Sequence, residues 1–240
     1  MPNITRGGRM RGVVAYLVGP GKQNEHRSPH LVAGDPGLMS GWGQTALDRR
    51  GVAVEIADYL DHPRRTFGTK VTIPVKGSDG HHHGDRRDAH VWHCSLSLQA
   101  AEGEISDEQW SAIAEEFASG MGFAGSDTAP QCRWAAIRHG VSSGGNDHVH
   151  LVVSMVREDG STARVNRDRP RAQKLAGELE RKHGLAVLES ITGHAQDCLN
   201  NLARAIELNP KCRLQARVDN DFQNMADDPR FTELLYPEIP

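Results

Sequence analysis

Aromatic side chains are few in this chain. Three tyrosines, four tryptophans and five phenylalanines are spread over 240 residues. Any chemistry that needs a phenol must therefore come from Tyr16, Tyr59 or Tyr236. Cysteine is sparse as well: Cys94, Cys132, Cys198 and Cys212 stand far apart, with no Cys-x-x-Cys pair. That spacing excludes a disulfide framework and reads as reduced thiols. Long apolar runs are missing, and the N-terminal stretch lacks the apolar core of a signal peptide. A soluble, cytoplasmic protein without membrane insertion is expected. An excess of positive charge is missing too, the net value being −3. Residues 1–50 nevertheless carry seven Lys/Arg against three Asp/Glu, and residues 151–190 eight against six. Residues 101–150 carry only two against eight. Basic charge thus gathers near the N-terminus and after residue 150, as a phosphate-facing surface requires.

What is present starts with a short strand and a helix over residues 1–18, stopped by Gly19-Pro20-Gly21. Tyr16 falls in the last turn of that helix, with Arg9, Arg11 and Lys22 near it in sequence. Residues 23–45, rich in turn formers, read as a loop containing His26 and His30. Helical spacing follows from Thr45 to Asp61, then a short strand over Val71–Val75 weakened by Pro74. Residues 77–88, with His81-His82-His83, read as a polar spacer, because adjacent side chains do not converge on one ion. Val91, His93, Ser95 and Ser97 alternate with Trp92, Cys94, Leu96 and Leu98, which makes 90–98 a strong strand with the second set facing the core. His93 reads either as a group that supports site residues from behind or as an ordinary polar strand residue, the second being preferred.

Ser106 and Gln109 form a capping box that opens an amphipathic helix through Trp110, Ile113, Ala114 and Phe117. Further on, a short strand is expected over Thr162–Val165 and a charged helix over Asp168–His183, stopped by Gly184. The Arg-rich start of that helix suits either a DNA backbone or solvent. From about residue 190 the character changes to helices over 195–210 and 216–235.

Residues 138–155 organise the rest. His148 and His150 lie two apart in a strand-forming run, so both imidazoles leave one face. His139 ends the preceding apolar run, Trp134–Ile137, and the Gly/Ser/Asn-rich stretch 140–147 turns the chain back. Pairing as a hairpin would bring His139 beside His148 and His150. Three neutral imidazoles meeting at one point hold a divalent metal with coordination positions left open.

An upstream His followed by His148-Val149-His150 resembles the metal-binding motif of relaxases, the mobilisation nucleases of the HUH endonuclease superfamily. The resemblance extends to Tyr16-Leu17 and the following Gly-Pro-Gly-Lys-Gln-Asn-Glu-His, and spans about residues 4–190. It implies an α/β (α+β) fold, a mainly antiparallel central sheet flanked by helices, with the histidine strand in the middle. The implied domains are a nuclease at 1–190 and a helical tail at 191–240. The implied activity is site- and strand-specific nicking and joining of single-stranded DNA at the origin of transfer of a plasmid or other mobile element, as in conjugation. In that scheme Tyr16 is the nucleophile, His139, His148 and His150 hold Mg²⁺ or Mn²⁺, and Ser95 and Ser97 contact phosphate together with Arg9, Arg11 and Lys22. Accessory DNA-binding and coupling proteins are the implied partners. Tyr59 sits between Asp58 and Asp61, which repel an incoming phosphate, and Tyr236 belongs to the tail. His26 and His30 compete with Tyr16 for the role of nucleophile.

Two other readings remain. A 2H phosphoesterase needs two His-x-Ser/Thr motifs; His93-Cys94-Ser95 supplies one, and His148-Val149-His150 does not supply the other. A non-catalytic binding module with a vestigial nuclease core is the second. The tail, with Ala-Ile-Glu-Leu-Asn-Pro at 205–210, resembles the closing helices of a tetratricopeptide-like array. It is either a capping helical pair or a joined segment.

Overall fold

The computed structural model describes residues 4–19, 28–49, 51–76, 82–98, 103–142, 145–183, 206 and 229–236. Its centre is an antiparallel sheet of five strands: β1 (Ile4–Gly7), β5 (Val91–Ser97), β7 (Asp147–Arg157), β6 (Cys132–Val141) and β2 (His30–Gly34), side by side in that order. The fold is α+β. The histidine strand β7 lies in the middle, and its run from Leu151 to Val156 is buried on both faces. Such a strand reads as a continuous apolar run because neither side meets water.

Each face carries helices. α4 (Asp107–Gly120) and α5 (Asp168–His183) cover one side, where Trp92, Cys94, Leu96, Leu151 and Val153 pack against Trp110, Ile113 and Phe117. α1 (Met10–Val18), α2 (Pro36–Trp42) and α3 (Val52–Phe67) cover the other, through Val14, Leu17, Ile56 and Leu60 on Val91, Ala135, Ile137 and Val152. Burying aliphatic side chains of this size stabilises the fold by about 1.5–3 kcal/mol each. α4 begins with the expected capping box, Ser106 and Gln109 each accepting from the other's backbone N–H. Cys94 and Cys132 are buried free thiols, and burial pushes the Cys132 thiol up to about 12, so both are inert at neutral pH.

Several local expectations need correction. Residues 23–45 are not all loop: β2 pairs with β6, with a bulge around Val32, and α2 follows directly. Asp35 and Pro36, seen as turn formers, are the N-cap and first residue of α2, the Asp35 carboxylate accepting from the Leu38 amide. α3 starts later than Thr45 and passes through Pro63 to Phe67. Pro63 has no N–H to give the Tyr59 carbonyl, and Arg133 on β6 donates to that oxygen instead at 2.8 Å. The spacer at 77–88 contains β4 (His82–Asp88), which pairs with β3 (Thr72–Lys76) as a separate ribbon. Both strands are edges, so Pro74 removes no interior ladder bond. At 162–165 only an isolated bridge forms, Val156 to Thr162.

The chain separates into two compact units, Met1–Ile191 and Thr192–Pro240. In the second unit the described residues include α6 (Pro229–Leu235), with Leu235 buried, and Ile206, also buried. Most of the 195–210 and 216–235 helices lies outside the described residues. Among the described residues no helix is long and apolar enough to cross a membrane.

Candidate metal centre

β6 and β7 form the hairpin that the histidine spacing calls for. Register runs from Ile137↔His150 and Arg138↔Val149 to Gly140↔His148, so His139 is the extra residue of a bulge. Gly140 next to it has φ +73°, a conformation a side chain resists. Bulges bend a strand and re-aim the extra residue. Alternation from Ile137, which pairs with His150, already puts His139 on the face that carries His148 and His150, and the bulge adjusts its direction there. Ring centroids are 4.4 Å apart for His139 and His150, 5.3 Å for His148 and His150, and 5.4 Å for His139 and His148. One ring nitrogen from each histidine lies within 4.8 Å of the others.

Hydrogen bonds set which nitrogens are available. A carbonyl oxygen only accepts, so the 2.7 Å contact from His139 Nε2 to the Leu17 carbonyl fixes a proton on Nε2. The lone pair of the neutral ring is then on Nδ1. His148 Nδ1 donates to the Asn146 carbonyl at 3.2 Å, which leaves Nε2 as its donor atom. His150 Nδ1 faces His93 Nε2 at 2.9 Å, and His93 Nδ1 faces the Thr5 hydroxyl at 3.3 Å. Protons pointing from His150 to His93 and on to Thr5 leave His150 Nε2 with its lone pair outward. Metal-binding histidines are held in this way by their second nitrogen. The donor set therefore fits a divalent cation. Burial pushes His93 down to about 4, so its ring is neutral at pH 7.

Of the two sequence readings of His93, the less favoured one, a group that supports site residues from behind, is the one its contacts agree with. Its ring stacks on His150 with ring centroids 5.1 Å apart. The available signal was its place on the same alternating face as Ser95 and Ser97. Those serines pair directly across from His150 and His148, and both are buried.

α1 covers the same face. Tyr16, 40% exposed, lies in its last turn, beside the buried Leu17 whose carbonyl holds His139. Arg9 is exposed at the start of α1. Arg11 donates twice to Asp58 on α3, at 2.9 and 2.8 Å, so its charge is already engaged. Lys22 and His26 lie outside the described residues. His30 is on the opposite side of the sheet from the triad: its Nε2 contacts Asp107 of α4 at 3.1 Å, and Asp107 in turn accepts from Arg138. Tyr59 donates its hydroxyl to Asp35 and packs beneath Arg133. Burial first, then Asp35, drives that phenol well above its ordinary range. Tyr236 is exposed in the second unit.

Comparison with known proteins agrees with this geometry. Residues 78–185, just under half of the chain, match the family model described as "Relaxase: MobA/VirD2-like, nuclease domain". The matched stretch contains β5, β6, β7 and all three histidines. The relationship is to the relaxases, the mobilisation nucleases, and the five-stranded antiparallel sheet flanked by helices is the fold expected of that domain. A relaxase nuclease domain supports DNA binding and nicking at a mobilisation origin in general terms. Neither the curated proteins nor the solved structures include a match to the chain.

Proposed function

We propose that the chain nicks one strand of DNA at the origin of transfer of a plasmid or other mobile element, with Tyr16 as nucleophile and a divalent metal at His139, His148 and His150. The observation that carries this reading is the convergence of three histidines within 4.8 Å, inside a stretch matched by the relaxase family model. The phenol of Tyr16 gives up its proton as its oxygen attacks the scissile phosphorus. A Tyr–O–P bond forms, the P–O3′ bond breaks, and the departing 3′ oxygen takes up a proton as a hydroxyl. The protein keeps the 5′ phosphate, and reversal of the step rejoins the strand.

A cation held by His139, His148 and His150 would supply positive charge to the phosphate. Three neutral imidazoles leave that charge uncompensated, which suits an anionic substrate. Imidazole donors favour Mn²⁺ over Mg²⁺. His93 and the Leu17 and Asn146 carbonyls keep the three rings in one tautomer and orientation. Ser95 and Ser97 lie across from the histidines, where a hydroxyl can meet a phosphate oxygen. Arg9 and Lys22 add to the positive side of the same region in sequence, and Arg11 contributes less because Asp58 holds it. Accessory DNA-binding and coupling proteins would act with the chain at the origin. The nuclease is assigned to residues 1–190, with 191–240 a tail outside the chemistry.

The test is covalent capture. Single-stranded oligonucleotides tiled across the element that carries the gene are incubated with the protein and Mn²⁺. Mass spectrometry should find Tyr16 joined to a 5′ phosphate. A cleaved strand with no protein attached would mean a hydrolytic phosphoesterase. Binding without cleavage across all tiles would leave a DNA-binding module.

A further inference from the structure

We infer that the cleft along the outer edge of β1 is a second DNA site, which holds backbone phosphates flanking the one at the histidines. This rests on the DNA-nicking reading above. The cleft measures about 400 Å³ and is lined by Thr5, Arg6, Ile73, Arg87, Asp168 and Arg169, among others. Three guanidinium groups thus surround a single carboxylate. Arg6 is committed: it donates to Asp168 at 2.9 and 3.2 Å and to the Val165 carbonyl at 3.3 Å. Arg87 is exposed and anchored through Nη1, which donates to the Arg6 carbonyl at 2.7 Å. Arg169 is exposed in the first turn of α5. Two positive charges remain after Asp168 is counted. Like charges gathered in one concave place repel each other, and an anion joining them removes that cost. The planar fork of arginine matches the oxygens of a phosphate.

The cleft is joined to the candidate metal centre by a continuous path. Thr5 lines it and meets His93, which meets His150. β7, β5 and β1 are successive strands. At about 4.8 Å per strand step, β1 lies roughly 10 Å from the strand of His150. Thr5 pairs with His93 and faces the histidine side, whereas Arg6 pairs with Trp92 and faces α5. A strand of DNA with one phosphate at the histidines therefore crosses β5, passes Thr5 and rounds the edge of β1 to reach the guanidinium groups. Ile73 offers apolar surface to sugar and base there. The sequence pointed to Arg9, Arg11, Lys22 and the Arg-rich start of the 168–183 helix, but not to Arg6 or Arg87 beside it, because the arginines of the cleft come from three distant segments.

The experiment uses the full chain and its Arg87→Gln/Arg169→Gln variant, changed only at exposed positions. Binding of a long labelled oligothymidylate, and of a short one that covers only the histidine site, is followed by anisotropy across a salt series. Each single-strand phosphate contact contributes about 0.7 to the slope of log K against log salt, so the variant's slope on the long probe should be shallower by about 1.4. The short probe should bind both proteins alike. An unchanged slope and affinity on the long probe overturns the cleft. Equal weakening on both probes also overturns it, since the arginines would then act at the histidines. Wild-type protein that binds neither probe would sink the DNA-nicking reading itself.

Discussion

Arg138 and Asp147, the residues just before His139 and His148, clasp each other on the far side of the sheet. Arg138 donates to both carboxylate oxygens of Asp147, at 3.1 and 2.8 Å, and Asp147 is wholly buried. Asp147 also accepts from the Trp110 indole at 2.8 Å and the Ile105 amide at 3.3 Å, which ties the base of the hairpin to the start of α4. The clasp fixes the backbone from which two of the three histidines project. Removing one partner of a buried pair is costly because the other charge is left behind. Asp147→Asn should lower stability by about 3 kcal/mol in urea unfolding, and Mn²⁺ affinity measured calorimetrically should fall with it. A variant as stable as the parent, with unchanged metal affinity, would refute the clasp.

Metal retention should depend on the triad and not on histidine content at large. His150→Ala is expected to lose most bound Mn²⁺ by elemental analysis and to nick far more slowly. His30→Gln, changed on the opposite side of the sheet beside Asp107, should keep its metal. Equal metal content in parent and His150→Ala would show that the ion binds elsewhere.

Tyr16→Phe keeps the ring and its packing on α1 and deletes only the hydroxyl. The covalent protein–DNA adduct should disappear while oligonucleotide affinity stays within about twofold, a change of about 0.4 kcal/mol. Should the adduct persist, His26 becomes the leading nucleophile, because His30 is engaged by Asp107 and by the Ser28 carbonyl.

A chain ending at Ile191, the boundary between the two compact units, should form the adduct at a rate near that of the full chain. Every group assigned to the chemistry lies before that point. A truncated protein that folds and binds DNA, yet forms no adduct, would place part of the catalytic apparatus in the tail.

Much of the candidate site was legible in the sequence because it is local. The two-residue spacing of His148 and His150, the Gly-rich turn and the apolar run before His139 lie within one hairpin, where spacing translates directly into geometry. The capping box of α4 is similarly local. What was not legible depends on pairing between distant segments. No pattern within 90–98 tells that Ser95 will stand opposite His150, or that His93 will reach His150 Nδ1. β2 was lost because five residues are too few to show a period. β4 was lost because a ribbon exposed to water needs no apolar face. Pro63 disguised the length of α3, since the guanidinium that takes up the Tyr59 carbonyl comes from Arg133, 74 residues beyond Tyr59 in sequence.

The order of strands has a consequence for biosynthesis. β7 is the last of the five to leave the ribosome, yet it sits between β5 and β6. Until it emerges, β5 and β6 each keep an edge with nothing to pair with, the surface on which nascent chains stick to one another. The same late strand brings two of the three histidines. An incomplete translation product that stops before Asp147 is therefore both prone to aggregate and unable to assemble the triad, so cutting competence arrives only when the sheet closes.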